Sequence, residues 1–200
     1  MSKRKIENTN IEKKNQNINI IEKIFIIDNH IYFNGIIDDK NLLLLKSKIN
    51  EYIVENGDTQ NRVDSTVDLT NCIVIHINSV GGYIDSLINH IDIFSKTVKI
   101  VTIIENRVCD CGLLFAAIST RRYIKQQARV VIRGVYNNYW YLFRQCAVEN
   151  INKFNENLIE LFKVATNRKL KQDRILELIK TTQEFTPKNI KRLYFVDEII

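Results

Sequence analysis

Hydrophobic positions fall into short, nearly unbroken apolar runs separated by stretches with helical spacing. Residues 31–37 (IYFNGII) are apolar and β-branched, are closed by Asp38-Asp39, and predict a strand. NLLLLKSKINEYIVEN then places Leu42, Leu45, Ile49 and Tyr52 on one helical face. Residues 56–71 are polar and turn-rich and predict a surface loop. CIVIHI (72–77) is the continuous apolar run of a strand covered on both faces. It breaks at Asn78-Ser79-Val80-Gly81-Gly82 and leads into a helix carrying Ile84, Leu87, Ile88 and Ile91. VKIVTII (98–104) predicts the next strand, CGLLFAAI (111–118) a buried helix after a short polar break, and ARVVI (128–132) another strand. Strand and helix alternating at this rhythm imply βαβ crossovers and a largely parallel sheet.

The second half changes character. Phe143, Ala147, Ile151, Phe154, Leu158, Leu161 and Ala165 follow one another in steps of three and four, which predicts one long amphipathic helix at about 142–166 whose stripe needs a partner surface. A further helix is expected at 171–180, and Thr186-Pro187 opens a last one, with Pro at a favoured first position. Residues 1–23 are polar and basic and are expected to be a flexible extension, leaving one domain at 24–200.

Composition adds exclusions. No apolar run approaches the ~20 residues of a membrane span. The first residues lack the apolar core of a secretory signal, and Glu7 and Glu12 run against a transit peptide, so the expected location is the cytoplasm, with the plastid as the alternative. Much of the net charge of +6 sits in the first 23 residues, and no nucleic-acid-binding module accompanies it. Cys72, Cys109, Cys111 and Cys146 have neither a disulfide framework nor zinc spacing, and only His30, His76 and His90 could assist; neither metal nor other cofactor is expected.

By itself the Gly81-Gly82 turn between strand and helix is a common tight turn. In context, INSVGGYIDSL (77–87) resembles the INSPGG signature of the ClpP family, with Val80 in place of Pro. TIIENRVCDCGLLFAA (102–117) is similar to the segment that carries the nucleophile in that family, ARVVIRG (128–134) to the strand ending in the catalytic His, and FTPKNIKRLYFVDEI (185–199) to the closing element. The long helix falls where the family has its handle helix. The resemblance covers about 30–200 and implies the ClpP/crotonase-type α/β fold: a curved, mostly parallel sheet, covering helices and a protruding handle helix. Signal-peptide peptidases and the enoyl-CoA hydratase group share that core, but the handle helix and short C-terminus favour ClpP, and no residue supports an acyl-CoA-handling role.

The same resemblance implies that the catalytic residues are gone. Asp110 falls at the nucleophile position, Arg133 at that of the general base and Thr182 at that of the orienting Asp, with Glu184 the nearest carboxylate. Arg stays protonated and cannot act as a base. Oxyanion-hole scaffolding survives in outline as the N–H groups of Gly82 and Cys111, and Gly81-Gly82 forms the substrate turn. Rescue by Cys109 or Cys111 would need His76 or His90 nearby. The implied function is a ClpP-like subunit of an ATP-dependent Clp protease chamber, catalytically inactive and structural or regulatory in protein quality control. Its partners would be active ClpP-type subunits or its own copies in heptameric rings, and an AAA+ unfoldase. The alternative is an active serine-type endopeptidase using a displaced catalytic residue. Because the nucleophile and base positions face each other in that family, the resemblance implies an Asp110–Arg133 ion pair; the alternative is Arg133 turned to solvent or Glu149 while the Asp110 carboxylate caps the helix after it, a cap that is also compatible with the pair.

Overall fold

A computed structural model describes residues 24–56, 72–94, 99–133, 146–180 and 182–200, and over 146–155 only the backbone. The expected extension at 1–23 and nearly all of the expected loop at 56–71 lie outside the described residues. Eight strands form one sheet: β1 (Ile24–Ile27), β2 (His30–Asn34), β3 (Ile73–Ser79), β4 (Ile100–Cys109), β5 (Arg121–Ile124), β6 (Arg129–Ile132), β7 (Gln183–Phe185) and β8 (Glu198–Ile199). The main order is β1-β2-β3-β4-β5-β8, parallel from β2 onward and antiparallel at the β1–β2 hairpin. β6 branches from the C-terminal end of β4 in parallel, and β7 lies antiparallel on β6.

The helices are α1 (Asp39–Asn56), α2 (Ile84–Asn89), α3 (Cys111–Ala117), α4 (Cys146–Ala165), α5 (Gln172–Lys180) and α6 (Pro187–Arg192). Alternation along the strands divides the sheet into two faces. Ile31, Phe33, Ile73, Ile75, Ile77 and Ile104 point into the main core with Leu42, Leu45 and Ile49 of α1 and Leu113, Leu114 and Phe115 of α3. Phe115 stacks on Phe33 (centroids 5.6 Å) and meets Phe94 edge-on (5.0 Å), joining sheet and helices through one ring cluster. The opposite face carries a smaller apolar strip of Cys72, Val74 and Val101 with Ile103 and Tyr123.

Two expectations change. β4 runs through Glu105-Asn106-Arg107 to Cys109, where the sequence suggests a polar break. These residues are polar because the strand leaves β5 there and joins β6 near the surface, not because it ends. The ten-residue β4 therefore delivers its last residue directly to the turn before α3. β1 and β5 were not legible as strands. Finally, the second half of the α4 stripe is not free for a partner: Leu158, Leu161, Phe162 and Ala165 are buried in this chain's own core, with α4 against α3 and α5. Residues 143–145 and the side chains of 146–155 lie outside the described residues. No described helix is long and apolar enough to cross a membrane.

Candidate functional site

The C-terminal ends of β3, β4 and β6 meet at one point, the usual place for chemistry in a parallel sheet. β4 passes into α3 through Asp110, whose backbone (φ 42°, ψ −110°) lies in a region that residues with a Cβ rarely adopt. The Asp110 N–H donates to Val131 O (3.0 Å), pinning this turn to β6. Beside it, Gly81 (φ 95°) and Gly82 (φ 157°) carry the chain from β3 to α2. Ser79 helps to shape that turn by accepting from the Gly81 N–H at 3.2 Å. The Ser–X–Gly spacing is a turn signal in the sequence.

Asp110 and Arg133 form the expected ion pair. Arg133 Nε donates to Asp110 Oδ2 at 2.5 Å, and the Arg133 backbone N–H to Oδ1 at 2.6 Å. Arg133 Nη2 donates to Val80 O at 2.8 Å, so the guanidinium lies across the Gly81 turn. A Cβ on Gly81 would sit 3.0 Å from Arg133 Nη2 and 3.4 Å from Asp110 Oδ2, so glycine makes room for the pair. The Asp110 hydrogen bonds push the Arg133 guanidinium further above its already high pKa, and it has no capacity to take up a proton. The helix-cap alternative is not realised. Asp110 makes no side-chain cap bond, because both its oxygens face Arg133; its backbone carbonyl serves the first turn of α3 through Leu113 N (2.9 Å) and Leu114 N (3.1 Å).

The remaining candidates fall into place around this pair. β6 and β7 pair Val131 with Glu184 and Ile132 with Gln183, and one further step of that register sets the exposed Thr182 level with Arg133. Glu184, the nearest carboxylate, accepts from Arg129 Nη1 at 3.0 Å instead. The Gly82 and Cys111 N–H groups take no backbone partner among the described residues. Burial and then the Asp110 carboxylate push the Cys111 thiol up to about 12, so it stays protonated, and its Sγ contacts Gly82 O at 3.4 Å. Neither candidate histidine serves a cysteine: His76 contacts His30 and Glu105, and His90 Nε2 lies 3.2 Å from Asp39 Oδ1. Among the described residues, no group of three His, Cys, Asp or Glu side chains is arranged to hold a metal ion.

At 52% and 26% side-chain exposure, the Arg133–Asp110 pair contributes only about 0–1 kcal/mol, whereas the Asp110 backbone stores about 1–3 kcal/mol of strain. Asp110→Gly relieves the strain as it removes the pair, while Asp110→Ala removes the pair and keeps the strain. Denaturant melts are expected to place the glycine variant about 1–2 kcal/mol above the alanine variant. Equal midpoints would mean that the backbone there is relaxed.

No curated protein matches the chain significantly. The family model described as Clp protease matches residues 30–200. That span holds the parallel core from β2 onward, the Gly81-Gly82 turn and the Asp110 turn, and the chain belongs to the Clp protease family.

Proposed function

We propose that this chain is a non-catalytic subunit of a Clp-type protease chamber. The observation that carries the reading is the Asp110–Arg133 ion pair at the sharp turn after β4, bonded through both the side chain and the backbone of Arg133. Acyl transfer needs a nucleophile, a base with a free lone pair and a group that orients the base. Here a paired carboxylate stands at the first position and a guanidinium at the second, and Thr182, at the third by resemblance, offers a hydroxyl in place of a carboxylate. The displaced-residue alternative is disfavoured by the protonated Cys111, by the engagement of Glu184 with Arg129 and by histidines held elsewhere. Clp proteases form rings and work with AAA+ unfoldases. The proposed role is to occupy places in such a ring, beside active subunits or its own copies, and to alter its output without cutting peptides.

The test uses the purified chain, alone and mixed with an active family member. A fluorophosphonate probe is expected to leave it unlabelled, and a short fluorogenic peptide to remain intact with the chain alone. Light scattering is expected to show a ring-sized particle in at least one condition. Labelling together with cleavage defeats the inactive reading, and a clean monomer under both conditions defeats the ring role. Asp110→Ser with Arg133→His is expected to stay inactive while Thr182 remains; recovered cleavage would show that the third catalytic position lies elsewhere.

A further inference from the structure

We propose that His30 and His76 form a proton-operated latch that tightens the β1–β2 hairpin against the sheet at neutral pH and loosens it on mild acidification. The latch lies on the sheet face away from α1 and α3, apart from the Asp110 turn. Side chains there form a chain across four strands. Lys125 Nζ, just after β5, is 2.5 Å from Glu105 Oε2 on β4. Glu105 Oε1 is 2.6 Å from His76 Nδ1 on β3. His76 Nε2 is 2.8 Å from His30 Nδ1, on the first residue of β2. Tyr32 stacks on the His76 ring (4.4 Å, 11°) and Phe25 of β1 on Tyr32 (4.8 Å, 11°), so the hairpin's rings are stacked in line with the histidines.

The direction of each hydrogen bond follows from the groups. Burial alone would raise the Glu105 carboxyl, but hydrogen bonds from Lys125 and His76 outweigh it and hold Glu105 below the usual carboxylate range. An ionised carboxylate only accepts, so His76 Nδ1 carries a hydrogen and neutral His76 Nε2 offers a lone pair to His30 Nδ1–H. Two ring nitrogens at 2.8 Å need one hydrogen between them. With one added proton on the pair, a hydrogen can still lie between the facing nitrogens; when His30 is protonated as well, N–H faces N–H and the contact parts.

The charges around His30 oppose its protonation. Burial lowers its pKa, His76 lowers it further, and Asp28 in the β1–β2 turn offsets only part of this. Across the hairpin His30 faces the uncharged Ile27, and the Lys125 cation lies beyond Glu105. Because the fold favours neutral His30, the latch is at full strength above the ordinary histidine value of about 6.5 and weakens as pH falls below it. β2 stays held by its ladder to β3 and by buried Ile31 and Phe33, so the loosening is a local opening that starts from the edge strand β1.

Hydrogen exchange of the amides at 24–34, referred to those of β3, tests this between pH 7 and pH 5. Protection of the hairpin is expected to fall about tenfold while that of β3 holds. In His30→Gln, whose amide still donates to His76 but takes no proton, protection is expected to stay within about twofold. Parallel loss in both proteins overturns the latch, as does no loss in either. Should the variant not fold, ring NMR of the three histidines in the unaltered protein decides. His30 titrating below about 6.5 in step with the loss of protection supports the latch, and His30 titrating at or above that value overturns it.

Discussion

Replacing Arg122 by Met is expected to lower the unfolding free energy by about 3 kcal/mol, at the lower end of the range for breaking a buried pair. Arg122 sits on β5 with a side chain 5% exposed and joins four parts of the chain. Nε donates to Asp197 Oδ2 (3.1 Å) and Nη2 to Asp197 Oδ1 (2.5 Å). Nη1 reaches Ala165 O (2.6 Å) at the end of α4, Tyr194 O (3.1 Å) after α6 and Ala117 O (3.4 Å) at the end of α3. Removing the guanidinium strands three carbonyls, each costing on the order of 1 kcal/mol or more if left unmet. Asp197 is 39% exposed and can turn to water, which keeps the loss near the lower end. Burial alone would raise the Asp197 carboxyl, but the Arg122 hydrogen bond and charge hold it below the usual range. Its contribution is therefore present above the ordinary carboxylate value of about 4 and lost as pH falls below it. Urea titrations at pH 7 and pH 3 check both parts. A loss under about 1 kcal/mol at pH 7, or a wild-type and variant gap that does not shrink in acid, would refute the assignment.

The second large effect belongs to Gly82→Ala. A Cβ there would lie 2.0 Å from Ile37 O, a backbone atom with little freedom to retreat. Ile37 N donates to Gly81 O (2.9 Å) and Tyr83 N donates to Ile37 O (2.8 Å), so the turn before α2 and the link before α1 are laced together there. The methyl group must part them, at an expected cost of about 3 kcal/mol or more. Gly35→Ala is the control. Its Cβ would meet only the Asn41 side chain at 3.5 Å, and a change below about 1 kcal/mol is expected. Similar midpoints for the two variants would mean that the lacing contributes little.

What was legible in the sequence follows from how local the signal is. β3 stood out because every residue from Ile73 to Ile77 except His76 is fully buried, and α6 because Thr186 and Pro187 spell a helix start, with Thr186 Oγ1 accepting from Asn189 N at 3.4 Å. β5 was missed because RRYI sets a buried arginine in a strand, and what makes that tolerable is Asp197, 75 positions away. β1 carries the same apolar, β-branched signal (IFII) but is only four residues long and directly follows the polar stretch at 1–23, which hides it in the sequence. At the site, the opposite charges of Asp110 and Arg133 suggested their meeting. The backbone N–H of Arg133 as a second donor and the strained turn at Asp110 depend on where β4 and β6 end, which no periodicity reveals.

β4 changes neighbours partway along, lying beside β5 from Val101 to Ile104 and beside β6 from Arg107 to Cys109. The sheet is forked, with a trunk that carries most of the apolar interior and a short limb of β6 and β7 that bears the residues around Asp110. The polar tips of that limb can change without disturbing the trunk. On such a plan the residues around Asp110 can vary while the trunk keeps the family recognisable over residues 30–200.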